Sequence, residues 1–146
     1  MVSEIHQEAV EQLTNEEVFA YTLYGECRGE PFFGQVAVAC VIRNRVMDKR
    51  WPGTYRGVCL QDKQFSCWNE PLPLSHIQAA IYLEAFKRLW YIVEGVRTFK
   101  IPDITQGANH YINAFARPSE PKWAQNTNRI VLWPSELVGA HAFYRL

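Results

Sequence analysis

The stretch Tyr24-Gly25-Glu26-Cys27-Arg28-Gly29-Glu30-Pro31 places two glutamates four residues apart, at a glycine-interrupted junction between two stretches of helical apolar spacing. Upstream, Thr14-Asn15-Glu16-Glu17 has the pattern of a capping box, and Val18, Tyr21, Leu23 and Tyr24 follow at helical intervals. A helix opened there reaches its C-terminal end at Gly25 and Glu26. Its last carbonyls carry partial negative charge, which opposes ionisation of a neighbouring carboxyl and raises its pKa. Pro31 suits the first position of a second helix, expected over 33–47, so Glu30 stands at a positive helix end that favours a charged carboxylate. Two similar side chains thus receive opposite biases. A glutamic acid kept protonated in a cleft is what general-acid cleavage of a glycosidic bond requires.

The chain has 146 residues, enough for one domain with a real core and too few for two comfortable ones, so a single domain over 1–146 is expected. An apolar share of 48% with 14% aromatics argues against disorder and supplies rings for a binding surface. Fifteen basic and fifteen acidic side chains cancel without blocks of like charge, which argues against a nucleic-acid binder. No apolar run has the length of a membrane span, and the first residues lack the basic and apolar regions of a signal peptide. Synthesis and retention in a cytoplasm, without stable membrane association and as a monomer, are expected. Cys27, Cys40, Cys59 and Cys67 form no zinc-ribbon spacing and read as free thiols, with Cys59 and Cys67 flanking a short loop that a disulfide can span under oxidising conditions.

Residues 3–13 form an amphipathic stretch before the capped helix. The second helix, rich in Val36, Ala37, Val38, Ala39 and Val41, reads as the buried central one, with Arg43, Asn44 and Arg45 emerging at its end. Shorter, irregular spacing over 55–68 predicts a loop or small hairpin. Ser75-His76-Ile77-Gln78 repeats the capping-box pattern and opens a helix expected to run to Val93 and stop at Glu94-Gly95, with Ile77, Ile81, Ala85, Leu89 and Val93 as its core stripe. The remainder reads as an irregular C-terminal third. The fold class expected is α+β, mainly helical, with a small β or loop insertion.

Several motifs together resemble the SleB-like cell-wall hydrolases, the family of spore-cortex lytic enzymes and related phage lysins. They are Y-G-E-C-R-G-E-P with G-Q-V-A-V-A-C-V-I-R-N-R-V, then W-P-G-T-Y-R-G-V-C, Gln64-Phe65-Ser66, Asn109-His110-Tyr111-Ile112-Asn113, Trp123, and Gly139-x-His141-x-Phe143. The resemblance implies a lysozyme-like fold and cleavage of the β-1,4 bond between N-acetylmuramic acid and N-acetylglucosamine in peptidoglycan glycan strands. The family's catalytic glutamate falls on Glu26. Members act as lytic transglycosylases, in which one glutamate serves as acid and then base and no cofactor, metal or second carboxylate is needed. Segments 88–107 and 117–121 depart from the spore enzymes, and the bare domain looks more like a phage endolysin, which needs a separate pore-forming protein to reach the wall.

Around Glu26, chemistry nominates Gln64, Tyr111 and Asn113 as hydrogen-bonding partners for sugar hydroxyl and acetamido groups, and Tyr111, Trp68 and Trp123 as rings that stack on sugar faces. His141 reads as a hydrogen-bonded structural histidine. Four other readings are open from the residues. These are a muramidase using water with Asp62, Glu30 or Glu70 as second carboxylate, a Cys27 nucleophile with His110 or His141 as base, a zinc amidase using some combination of those histidines and a carboxylate or cysteine, and a glycan-binding module without catalysis.

Overall fold

Helix α1 (Asn15–Cys27) begins where Thr14 and Glu17 close a reciprocal cap: Glu17 N–H donates to Thr14 Oγ1 (3.0 Å) and Thr14 N–H to Glu17 Oε1 (2.9 Å). Val18, Phe19, Ala20, Tyr21, Thr22 and Leu23 are all buried, so α1 is enclosed by its neighbours instead of lying on a surface. Helix α2 (Phe32–Met47) is buried along most of its length, and each large apolar side chain it buries contributes about 1.5–3 kcal/mol. The computed structural model describes residues 10–61, 65–68, 79–80, 82–113, 121–124, 128–130 and 139–146. Gln64, Asp62, Glu70, the second capping box and residues 117–120 lie outside the described residues.

The arginines at the end of α2 do not emerge into solvent. Arg43 donates to the carbonyls of Val96 (2.9 Å) and Ile101 (2.8 Å), and Arg45 Nε donates to the Asn109 carbonyl (2.7 Å). Both are buried, because backbone carbonyls arriving from residues far along the chain need donors. They tie α2 to the segment that leads into the sheet.

Among the described residues of the 55–68 region, helix α3 (Tyr55–Cys59) and a 3₁₀ turn (Ser66–Trp68) stand where a loop or hairpin is expected. Thr54 caps α3 by accepting from Gly57 N–H at 2.9 Å, a local signal that irregular apolar spacing hides. The helix expected up to Val93 is interrupted as well: Leu83 is extended, Glu84–Phe86 is a 3₁₀ turn, and helix α4 (Lys87–Arg97) follows. Phe86 replaces Ala85 as the buried residue, while Leu89 and Val93 are buried as expected and Ile92 and Val96 join them. Gly95 does not stop α4, since its missing side chain makes room for Ile101, with which a Cβ would collide.

The sheet lies in the C-terminal third. Strands β1 (His110–Asn113), β2 (Arg129–Ile130) and β3 (His141–Tyr144) pair antiparallel in the order β1-β3-β2. The register sets His110 opposite Tyr144, Tyr111 opposite Phe143, Ile112 opposite Ala142 and Asn113 opposite His141. Alternation therefore puts Tyr111, Asn113, His141 and Phe143 on one face and His110, Ile112, Ala142 and Tyr144 on the other. Tyr111 and Phe143 join the helical core, whereas Ile112, Ala142 and Tyr144 pack with Ala124 and Trp123 in a second, smaller cluster.

Candidate active site

Glu26 sits in the last turn of α1 and lines a cleft of about 540 Å³ with Gly25, Cys27, Arg28, Gly29, Glu30 and Ala140. Its carboxyl is held above the usual carboxylate range, chiefly because burial penalises the charge; the Tyr111 hydroxyl and Arg45 pull the other way. The helix end is not the principal cause. Gln35 donates to the carbonyls of Cys27 (3.0 Å) and Arg28 (3.3 Å), which offsets part of the negative charge at this helix end. Gln35 is itself held by Arg88 Nε at 2.8 Å.

Tyr111 reaches Glu26 from the near face of the sheet: its hydroxyl donates to Glu26 Oε1 at 2.6 Å, between residues 85 apart in the chain. The phenol is pushed well above its ordinary pKa by burial and by Glu26, so it remains a donor. Its polar atom is engaged with the carboxyl. His141 packs edge-on to the Tyr111 ring at 4.9 Å and 77°, with its Nδ1 3.5 Å from Glu30 Oε1. Burial lowers the His141 pKa, with Glu30 opposing. Asn113 is exposed on this same face, opposite His141.

Two aromatic candidates stand elsewhere. Trp68 is 2% exposed, donates its indole N–H to Thr22 Oγ1 at 2.9 Å and packs on Tyr21 at 4.9 Å, so it is a core residue with no face for a sugar. Trp123 packs on His110 (4.8 Å) and Tyr144 (5.4 Å), which places it on the sheet face turned away from Tyr111 and Glu26.

Cys27 is buried, its Sγ donates to the Leu23 carbonyl at 3.1 Å, and burial followed by Glu26 and Glu30 pushes its pKa up. A thiol so disposed is a poor nucleophile. Cys59 and Cys67 are free thiols, and burial raises the former to about 12. His110 and His141 lie on opposite faces at opposite ends of the β1–β3 pair, and among the described residues no three His, Cys, Asp or Glu side chains converge as metal ligands. Sequence reasoning did not single out Arg45 and Gln35 as site residues. Gln35 is a buried polar side chain within the apolar run of α2, and Arg45 is one of the three polar side chains, with Arg43 and Asn44, that close it; that misfit is the signal available for them.

The profile of the cell wall hydrolase family matches residues 29–144, a span that includes Glu30 and begins three residues after Glu26. Among curated proteins, a spore cortex-lytic enzyme of Bacillus cereus is 48% identical over 50 residues, covering 34% of this chain and 19% of the relative. One from Oceanobacillus iheyensis is 43% identical over 61 residues, covering 38% and 22%. The matches thus span about a fifth of the length of these relatives. The chain is also similar to the solved catalytic domain of the germination-specific lytic transglycosylase SleB from Bacillus anthracis, with 30% identity, a TM-score of 0.63 and coverage of 90% of this chain and 93% of that one. The catalytic domain of the Bacillus cereus SleB protein gives 30% identity, a TM-score of 0.64 and coverage of 90% and 89%. The fold is the lysozyme-like fold of these domains.

Proposed function

This chain belongs to the cell wall hydrolase family, and from that premise we propose that it is a peptidoglycan lytic transglycosylase cleaving the β-1,4 bond between N-acetylmuramic acid and N-acetylglucosamine. The observation that carries the reading is Glu26: a carboxyl lining an open cleft, kept above the usual carboxylate range by burial and held by Tyr111 at 2.6 Å. A protonated Glu26 gives its proton to the glycosidic oxygen as the bond to muramic acid C1 breaks, releasing the N-acetylglucosamine hydroxyl. The carboxylate left behind faces the Tyr111 hydroxyl and the Arg45 charge, both of which favour that form. It then takes the proton of the muramic acid C6 hydroxyl as that oxygen attacks C1, closing a 1,6-anhydro ring. No water is consumed, and Glu26 ends protonated as it began. Turnover is expected to fall as pH rises through the raised Glu26 pKa, since the acid form is lost there.

The test is digestion of purified peptidoglycan in ¹⁸O-labelled water with mass spectrometry of the products, using the parent and Glu26→Gln. Anhydromuramic ends without label from the parent, and a loss of at least about 100-fold in the variant, are expected. Labelled reducing ends would instead support a muramidase. That second reading is favoured by one feature, the presence of Glu30 on the same cleft.

We assign the protein the role of a phage endolysin, a monomeric single domain acting on the wall after a separate pore-forming protein opens the membrane. What supports that role is the resemblance of its ordered motifs to a family that includes phage lysins. Expression alone should leave cells growing, and co-expression with a membrane-permeabilising protein should lyse them unless Glu26 is replaced by Gln. Lysis by the unaccompanied protein overturns the role, and activity abolished by a chelator would favour the zinc amidase.

A further inference from the structure

We propose that Glu30 is a positioning residue for Glu26, acting through His141 and Tyr111 so that Glu26 Oε2 is the oxygen that gives and retakes the proton. This rests on the reading of Glu26 as the general acid and deepens it.

Glu30 lies one short turn beyond α1, with its side chain 15% exposed, and its polar atoms are engaged by protein. Oε2 accepts from Ala140 N–H at 3.3 Å, Oε1 lies 3.5 Å from His141 Nδ1, and the backbone carbonyl accepts from Arg88 Nη2 at 3.1 Å. A carboxylate tied in this way is poorly placed to activate water. The chain is shaped around it: Gly139 has φ +87°, and a Cβ there would collide with the Glu30 carboxylate and Pro31. Only glycine adopts that backbone freely while letting the start of β3 approach so closely. The Gly139-x-His141-x-Phe143 motif therefore wraps Glu30, which explains its spacing.

The effect passes along three contacts. The His141 side chain is 5% exposed, and its Nδ1 makes no hydrogen bond among the described residues, so the Glu30 charge orients that nitrogen as the N–H. The imidazole edge meets the Tyr111 ring at 4.9 Å, and Phe143, on the same face, meets it at 6.1 Å. Two rings thus fix the Tyr111 plane. The hydroxyl then donates to Glu26 Oε1 at 2.6 Å. A neutral carboxyl accepts such a bond through its carbonyl oxygen, so the acid proton resides on Oε2. When Oε2 has delivered that proton, the same bond strengthens on the carboxylate, and Oε2 is free to collect the next one.

A double-mutant cycle with Glu30→Ala and Tyr111→Phe, read as kcat and KM on soluble glycan strands together with melting curves, tests the relay. Glu30→Ala should lower kcat about tenfold with KM within about twofold, the size expected from misplacing a catalytic group by a fraction of an ångström. Tyr111→Phe should lower kcat at least as much, and adding Glu30→Ala to it should change little more. Independent, multiplying losses, a loss carried by KM, or parental kcat in Tyr111→Phe each overturn the relay. Should Glu30→Ala fail to fold, Glu30→Gln, which keeps an acceptor for Ala140, is put through the same cycle and must show a smaller kcat loss with the same non-additivity. Glu26→Gln is run alongside, and its retained activity would sink the general-acid reading itself, an outcome separate from failure of the relay.

Discussion

The two faces of the small sheet use similar residues for different ends. On the near face, Tyr111 and His141 connect Glu26 to Glu30; on the far face, His110, Tyr144 and Trp123 pack on one another without reaching the cleft. His110 and Tyr111 are neighbours in the chain, yet strand alternation turns one away from the glutamates and the other onto them. A motif such as Asn109-His110-Tyr111-Ile112-Asn113 therefore contains two interleaved sets along its strand, one on the Glu26 side of the sheet and one on the Trp123 side. Identity of residue type does not decide which set a residue belongs to; parity in the strand does.

The comparison is broken most directly by Trp123→Ala. Loss of a half-buried ring that covers His110 and Tyr144 should destabilise the fold by about 2 kcal/mol, somewhat below the cost for a fully buried aromatic. Activity per folded molecule should stay near parental. A variant of unchanged stability that loses substrate affinity would return Trp123 to the sugar-binding role given it by sequence. Asn113→Ala sharpens the other side. Asn113 is exposed on the near face, and loss of one hydrogen bond to a sugar group should cost about 1 kcal/mol, a KM raised roughly fivefold at parental kcat. An unchanged KM would leave the near face to the Tyr111–His141 pair, with no sugar-binding part for Asn113.

These distinctions were only partly legible beforehand. Local chemistry announced itself: Thr14 and Glu17 cap α1 as their spacing requires, and the α1–α2 junction falls at the two glutamates. The lysozyme-like fold followed from ordered motifs. What escaped depends on distant partners. Gly95 reads as a helix stop until Ile101 is seen against it, and Arg43 and Arg45 read as a polar exit until the carbonyls of Val96, Ile101 and Asn109 arrive to receive them. Tyr111 reads from sequence as a partner for sugar, because nothing in a linear chain indicates that its hydroxyl meets a carboxyl 85 residues away. Trp68 reads as a stacking ring for the same reason, whereas its indole N–H is answered by Thr22 inside the core.

The smallest expected effect concerns pH, where Glu26 and the far-face His110 should pull in opposite directions. Glu26 has a raised pKa in the folded protein, so its contribution to stability is present at low pH and is lost as pH rises through that value. His110 has its pKa lowered from 6.5 to about 4, chiefly by burial and then by Arg45 and Arg50. A depressed value favours the neutral ring in the folded state, so the stability it confers is present above about 6.5 and is lost as pH falls toward 4. His141 shifts in the same direction, and Asp48 and Asp103, both lowered, add to acid sensitivity, so the overall acid limb belongs to no single group. The far-face share is isolated by His110→Gln, which keeps a side chain able to hydrogen-bond Asn109, the present partner of His110 Nδ1 at 2.8 Å. Melting temperatures of parent and variant measured from pH 7.5 to 4 should converge as pH falls, the variant losing less over the window between 6.5 and 4. Parallel curves would mean that His110 titrates alike in folded and unfolded chains, and the far face would then be a packing surface without any electrostatic part in the comparison.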